Sequence, residues 1–140
     1  MANESGFFQP DPEQLSAFQT GVKEFNRGMF FECHETLEDV WHGIRGPSRD
    51  FYQGLIQIAV GFYHLGNSNR TGGQSQLEKG LQRLGKYGDS FMGIELKPFR
   101  IEVAEWLARV RTGMELKAHV RDLPKIRFTP QVPDNSDHPN

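Results

Sequence analysis

The stretch RDFYQGLIQIAVGFYHLGN, residues 49–67, decides the fold, because as a helix it is apolar around most of its circumference. A surface helix keeps one broad polar face, so a helix with this pattern is expected to be enclosed by its neighbours. The polar exceptions fall on one narrow stripe, formed by Gln53, Gln57 and His64. We therefore predict a central helix whose polar stripe faces another helix.

Two glycines, Gly54 and Gly61, lie beside this stripe and are seven residues apart. Glycine has no Cβ atom, and residues two turns apart fall on the same side of a helix. A neighbouring helix is therefore expected to approach the central helix closely along this line.

Four amphipathic helices are predicted around the central one, from apolar residues spaced three and four apart. Each has a recognisable start, either a capping residue, a proline in the first turn or a residue just after a glycine break. These starts are at Asp11, Met29, Thr71 and Pro98. The first helix ends near Asn26. Glycines and prolines separate the helices, so the connections between them are short.

The fourth predicted helix is the least regular. Leu77 and Leu84 are expected to face the core, while Arg83 and Lys86 are expected to form an ordinary solvated face. Gly80 is expected to weaken this helix by up to about 1 kcal/mol relative to alanine.

Short connections make successive helices antiparallel neighbours, so the predicted fold class is all-α, a single five-helix bundle without a sheet. The domain is expected to span residues 11–128, and SFMGIELKP at 90–98 is expected to be irregular. Residues 114–128 are predicted to pack back as an extended C-terminal arm. Residues 1–10 are expected to form a flexible lead-in and residues 129–140 a disordered tail.

Composition excludes several classes of protein. The chain has 140 residues and a formal net charge of -2, which gives no reason to expect nucleic acid as a partner. Its one cysteine, Cys33, excludes an internal disulfide framework and fits a reducing compartment. No apolar run approaches the roughly 20 residues that cross a membrane. We therefore expect a soluble, cytoplasmic protein with no membrane partner.

The second helix carries the most suggestive polar residues. His34 falls inside its apolar face and Glu38 lies on the edge of that face, one turn further on. Helices two and three are expected to run antiparallel, with the connection between them near position 46. Counting outward from this connection along both helices places Glu38 beside Gln53 and His34 beside Gln57. We therefore predict one polar cluster, shielded from water, that joins these four side chains. Trp41 lies on the same helix face and is expected to be part of its surroundings.

Three interpretations of this cluster remain open. It can be a satisfied polar network that fixes the packing of two helices, or it can line a pocket for a small molecule. It can also supply two metal ligands, His34 and Glu38, but the H-E-x-x-H pattern of zinc proteases lacks its second histidine here. The sequence offers no third ligand, so we name no metal site and no cofactor.

His64 is expected to lie apart from this cluster. In the same antiparallel pairing of the two helices, His64 and His34 are offset by six residues, or roughly 9 Å along the helix axis. It is instead expected to join Asn26 and Asn67 in a second polar cluster, at the end of the bundle where the first and third helices meet their loops.

Four segments of the chain resemble a known family: FNRGMFFECHETLEDVW (25–41), FYQGLIQIAVGFYHLGNSNRTGG (51–73), GIEL (93–96) and LPKI (123–126). They are similar to the bacterial and archaeal family catalogued as domain of unknown function 309. The resemblance implies a small all-helical bundle and assigns no activity. The positions that match the family pattern are Asn26, His34, Glu35, Glu38, Trp41, Gln53, Gly54, Gln57, His64, Asn67 and Arg70, and Arg70 thereby joins the second polar cluster.

The sequence favours a binding or interaction module. The polar cluster leaves room for a small-molecule ligand, and the pair Phe30–Phe31 and the long apolar central helix leave room for the contact face of a homodimer. The alternative is a metal-dependent hydrolase in which His34 and Glu38 act as ligands, or His34 acts as a base that Glu38 orients. A third interpretation is a structural partner subunit with no ligand of its own.

Overall fold

The computed structural model describes residues 11–113 and 120–130 of the chain. The described residues form five α-helices, so the predicted all-α bundle is confirmed. No helix in these ranges is both long enough and apolar enough to cross a membrane. The helices are α1 (Pro12–Asn26), α2 (Phe30–Trp41), α3 (Ser48–Gly66), α4 (Arg70–Leu84) and α5 (Leu96–Arg111).

Local chemistry sets most helix ends. Asp11 caps α1 by accepting a hydrogen bond from the backbone N–H of Gln14 at 2.8 Å, as its sequence position predicts. Gly28 follows α1 in a left-handed conformation (φ 78°), which glycine adopts without steric cost. Asn69 caps α4 through the N–H of Gly72 at 2.9 Å.

The central position of α3 is also confirmed. Its apolar side chains form the middle of the core, and Phe51, Ile58 and Ala59 are completely buried. Helix α3 packs against α2 on one side and against α4 on the other. This arrangement explains why α3 is apolar around most of its circumference, whereas its neighbours keep a polar face.

Glycines bring α3 and α4 unusually close together. A methyl group on Gly54 would lie 2.9 Å from Cδ2 of Leu84, and one on Gly61 would lie 2.7 Å from Cδ2 of Leu77. Gly80 of α4 receives Ile58 of α3 in the same way, at 2.6 Å. The predicted close approach is therefore present, with α4 as the partner helix. Gly80, expected only to weaken its helix, is part of the interface.

Two sequence expectations were wrong between α4 and α5. The segment expected to be irregular forms a two-stranded antiparallel hairpin, β1 (Ser90–Phe91) and β2 (Ile94–Glu95), so a small sheet is present after all. Its two turn residues, Met92 and Gly93, both have positive φ (52° and 77°), as a type I′ turn requires. The sequence offers methionine where asparagine or aspartate is usual, so the hairpin signal was weak.

Helix α5 begins two residues before the predicted start at Pro98. The N–H groups of Leu96 and Lys97 both donate to the carbonyl oxygen of Asp89, at 2.9 and 3.0 Å. Proline lacks an N–H, but the first turn of a helix makes no internal hydrogen bond through that group. Pro98 is therefore tolerated inside the first turn.

The extended C-terminal arm is confirmed where the structure describes it. One 3₁₀ turn, Val120–Asp122, precedes it. The side-chain amide of Asn26 in α1 then donates to the carbonyl oxygen of Ile126 and accepts from its N–H, both at 2.8 Å. Next to this, Phe128 forms a bridge with Ile94 of β2. Three predicted ranges lie outside the described residues: 114–119 of the arm, the lead-in 1–10, and 131–140 of the tail.

Candidate functional site

His34 and Glu38 meet as their spacing predicts. Nε2 of His34 lies 3.6 Å from Oε1 of Glu38, and Nδ1 lies 3.2 Å from the carbonyl oxygen of Phe31. A carbonyl oxygen only accepts, so Nδ1 carries the proton. Nε2 then faces the carboxylate, and the contact becomes a charge-assisted hydrogen bond only when the ring is doubly protonated.

The predicted shielding of this pair from water was wrong. The Glu38 side chain keeps 45% of its exposure and that of His34 keeps 23%. Glu38 is on the solvent side of the helix edge, so its carboxylate stays open to water while it faces His34.

The two glutamines do not join this pair. Gln57 is buried (8% exposed), and its Oε1 accepts a hydrogen bond from Nε of Arg83 in α4 at 3.1 Å. In the described part of the chain, neither Gln57 nor Gln53 is hydrogen-bonded to His34 or Glu38. The predicted four-residue cluster is thus divided between two faces of α3. Counting residues from the connecting loop predicts how far along the helix axis a residue lies. It does not predict which neighbouring helix the side chain faces.

Arg83 belongs to an ion-pair network, although its face of α4 was expected to be ordinary solvated surface. Nη1 of Arg83 donates to Oδ1 of Asp50, and Nζ of Lys86 donates to Oδ2 of the same carboxylate at 2.5 Å. The hydrogen bond from Lys86, followed by the charge of Arg83, holds the pKa of Asp50 below its ordinary value. Asp50 therefore stays ionised and fixes Arg83 beside Gln57.

A second arginine, Arg49, is held in place by Trp41 and the loop between α2 and α3. The guanidinium of Arg49 lies 4.0 Å from the centre of the Trp41 ring, within range of a cation–π interaction. Its Nη1 donates to the carbonyl oxygens of Trp41 and Ile44, at 3.1 and 3.0 Å. The indole Nε1 of Trp41 in turn donates to the carbonyl oxygen of Arg49 at 3.2 Å. Arg49 could not be selected from the sequence, because its pairing with Trp41 depends on the loop between α2 and α3.

These residues enclose a cleft of about 440 Å³ between the end of α2, the start of α3 and the end of α4. We call it the basic cleft. Two of the predicted site residues, Trp41 and Gln53, line it, and Gln57 lies behind Arg83. The lining comprises Trp41, Gly46, Arg49, Asp50, Gln53 and Arg83.

The predicted second polar cluster is not one network. Asn26 holds the C-terminal arm, as described above. Nδ1 of His64 lies 3.3 Å from Nδ2 of Asn69, and Arg70 donates to the carbonyl oxygen of Val110 at 3.3 Å. Asn67 is the exposed C-cap residue of α3. His64 and His34, expected to lie apart, line the same small cavity of about 140 Å³.

A metal ion would need at least three ligating side chains close together. Among the described residues, no three His, Cys, Asp or Glu side chains are placed so that they could hold one ion. Cys33 is buried in the core, where desolvation raises the pKa of its thiol to about 12. A metal at His34 and Glu38 would thus need a ligand from outside the described residues.

Comparison with known proteins supports the family resemblance. An uncharacterized protein from Aquifex aeolicus (strain VF5) is 29% identical over 100 residues, which are 69% of this chain. The chain spans only 30% of that relative's length. The family described as "Domain of unknown function (DUF309)" matches residues 18–76, which include all of α2 and α3. This match is to the same family that the sequence resemblance predicted, and it covers 59 of the 140 residues.

Proposed function

We propose that the protein is a small ligand-binding module whose basic cleft holds an organic anion with a phosphate or carboxylate group. One observation supports this proposal most strongly. Two guanidinium groups, those of Arg49 and Arg83, line one cleft of a size that suits a small molecule.

Each guanidinium is anchored but keeps free donors. Arg83 uses Nε for Gln57 and Nη1 for Asp50, and within the described residues its Nη2 has no partner. Arg49 uses Nη1 to donate to two carbonyl oxygens, and within the described residues its Nε and Nη2 have no hydrogen-bond partner. A guanidinium presents its donors in a rigid planar fork that matches carboxylate and phosphate oxygens. Because the side chains are already held in place, little conformational entropy is lost when an anion binds.

The charge of the cleft also favours an anion. Arg49, Arg83 and Lys86 bring three positive charges to its walls and rim, and Asp50 contributes one carboxylate. Asp50 is already bound by two of these cations, so the cleft has an excess of positive charge. The side-chain amide of Gln53 and the indole of Trp41 add one polar and one apolar surface for the rest of the ligand.

Isothermal titration calorimetry of the full chain with inorganic phosphate, pyrophosphate and citrate tests the proposal. We expect at least one of these anions to bind, and Arg83→Met to weaken that binding about tenfold or more, because a hydrogen bond to a charged group contributes roughly 1.5–3 kcal/mol. Arg83→Lys keeps the charge without the fork and should lose most of the affinity as well. Circular dichroism would check that each variant is folded.

Arg111→Met is the matched control. Arg111 forms a comparable exposed ion pair with Glu78, at 3.0 Å, and does not line the basic cleft. Its replacement should leave anion binding unchanged. Equal weakening by Arg111→Met and Arg83→Met, or no binding of any of the three anions, would refute the proposal.

The 3.6 Å contact between His34 and Glu38 favours the second candidate, a metal-dependent hydrolase. Elemental analysis of protein purified without chelators tests it directly. The hydrolase interpretation requires a near-stoichiometric transition metal that Glu38→Gln removes. The binding-module interpretation requires metal-free protein whose anion binding Glu38→Gln leaves intact.

The expected homodimer and cytoplasmic location stay predictions. Of the pair Phe30–Phe31, on which the dimer prediction rested, Phe30 is buried and Phe31 is exposed. Sedimentation equilibrium at micromolar concentration decides between a mass of 16.0 kDa and twice that value.

A further inference from the structure

A second cavity lies at the other end of α3. It has a volume of about 420 Å³ and is formed by the start of α2 and the ends of α3 and α5. We call it the aromatic groove. Along α3, Tyr63 in the groove is ten residues from Gln53 in the basic cleft, or about 15 Å at 1.5 Å per residue. The two cavities are therefore separate sites.

Five aromatic rings line the groove, those of Phe30, Phe31, Phe62, Tyr63 and Trp106. Phe31 and Tyr63 have their ring centres 5.4 Å apart and remain 42% and 40% exposed. Beneath them, Phe62 stacks on Phe30 at 5.5 Å and meets Trp106 at 6.4 Å. Phe62 and Phe30 thus face each other, and the guanidinium of Arg109 already lies over the Trp106 ring. The faces of aromatic rings carry partial negative charge, so the exposed rings of Phe31 and Tyr63 are those that can attract a ligand cation.

The charge on the groove wall is negative, like the partial charge on the ring faces. Among the described residues, Glu32, in the first turn of α2, is the one charged residue that lines the groove. No ion pair joins Glu32 to another residue of the described chain. A carboxylate without a protein cation, placed beside exposed aromatic rings, is complementary to a positively charged ligand with an apolar body.

The neighbouring small cavity provides space for that apolar body. It shares Phe30, Phe31 and Tyr63 with the groove, and its surface is almost entirely apolar. His34, Val60 and His64 complete its wall. A ligand with a compact ammonium head against the exposed rings and a short hydrocarbon part in this cavity can therefore be covered on several sides.

We propose that the aromatic groove binds a small organic cation of the quaternary ammonium type, held by the rings of Phe31 and Tyr63 and by the carboxylate of Glu32. This site is independent of the basic cleft and of the anion assigned to that cleft. The chemistry is recognition of a diffuse positive charge by π faces and one carboxylate, and it involves no bond-making step.

The test compares choline with its uncharged isostere 3,3-dimethylbutan-1-ol, which has the same shape without the charge. Calorimetric titration of the full chain should show that choline binds, and that the isostere binds about 3- to 10-fold more weakly, as expected for a cation–π contact at a partly exposed site. Glu32→Gln should weaken choline binding about threefold without changing binding of the isostere. Tyr63→Leu should weaken choline most, and circular dichroism would confirm that it folds.

Glu35→Gln is the matched control, because Glu35 is exposed on the same helix and does not line the groove. It should leave choline binding unchanged, as should Arg83→Met in the basic cleft. The proposal is overturned if choline does not bind, if the isostere binds equally well, or if Glu35→Gln matches Glu32→Gln. A stable dimer that buries Phe31 and Tyr63 and excludes choline would overturn it too.

Discussion

Replacement of Gly80 by alanine tests whether α3 and α4 depend on glycine for their close approach. A methyl group at this position would lie 2.6 Å from Cδ1 of Ile58 and 2.9 Å from the carbonyl oxygen of Gly54. Ile58 is completely buried, so its side chain has no free space to enter. The oxygen of Gly54 belongs to the helix backbone and can move only if the helices separate.

Two opposing effects determine the size of the change. Alanine in place of glycine favours a helix interior by about 1 kcal/mol. Overpacking of a filled core costs about 1–3 kcal/mol, and a backbone contact places Gly80 in the upper part of that range. We therefore expect Gly80→Ala to lower the free energy of unfolding by about 1–2 kcal/mol. For a domain of this size, that is a fall in Tm of roughly 4–8 °C.

Urea denaturation and differential scanning calorimetry would measure both quantities, with Gly85→Ala as the control. Gly85 follows α4 directly with a right-handed conformation (φ -60°), and a methyl group there would have nothing within 4 Å. Gly85→Ala should therefore raise the stability by up to about 1 kcal/mol. If Gly80→Ala proves as stable as Gly85→Ala, the α3–α4 interface does not require glycine and the reasoning is refuted.

Three further predictions concern single side chains. Cys33 should not react with an aromatic disulfide reagent at pH 8 until urea unfolds the protein. The pKa of its thiol, about 12, lies above the ordinary 9.0, so the stability that the buried thiol contributes should be lost as the pH rises from 9 toward 12. Constant stability over that pH range would contradict this prediction. Lys86 lowers the pKa of Asp50, so the stability that ionised Asp50 contributes is present above pH 3.8 and lost as the pH falls below that value. Asp50→Asn should therefore flatten the acid side of a plot of stability against pH. Asn26→Ala should cost about 1–3 kcal/mol in urea denaturation and speed hydrogen exchange at the N–H of Ile126, because it removes both hydrogen bonds to the arm.

Helix positions could be predicted from the sequence because their signals are local. Asp11 caps its helix through a residue three positions away, and Gly28 ends that helix through its own conformation. The central position of α3 followed from its apolar circumference. Each of these features depends on residues within one helix, so a single sequence contains the necessary information.

The candidate site was predicted only in part, because it depends on rotations between helices. Gly54 and Gly61 were recognised as a line of close approach, but the sequence does not say that α4 uses it. Once α4 packs there, Gln57 on the same face meets Arg83 instead of His34. The contact is between residues 26 positions apart in the sequence and could not be inferred from the periodicity of either helix.

Arg49 was missed for a different reason. Its role depends on the conformation of the loop that joins α2 to α3, which returns the guanidinium over Trp41. A basic residue that follows a Gly-Pro-Ser turn has no distinctive pattern. The hairpin at residues 90–95 was missed in the same way, because Met92 occupies a turn position where the usual residue signal is absent.

The most direct test of the basic cleft is a titration of the isotope-labelled full chain with pyrophosphate, followed by nuclear magnetic resonance. Binding between the two guanidinium groups should shift the indole N–H signal of Trp41, the side-chain amide of Gln53 and the Nε–H of Arg83, and should leave the Nε–H of Arg111 in place. The account is contradicted if the signals of Trp41 and Arg83 stay fixed at saturating pyrophosphate, or if they move no more than that of Arg111.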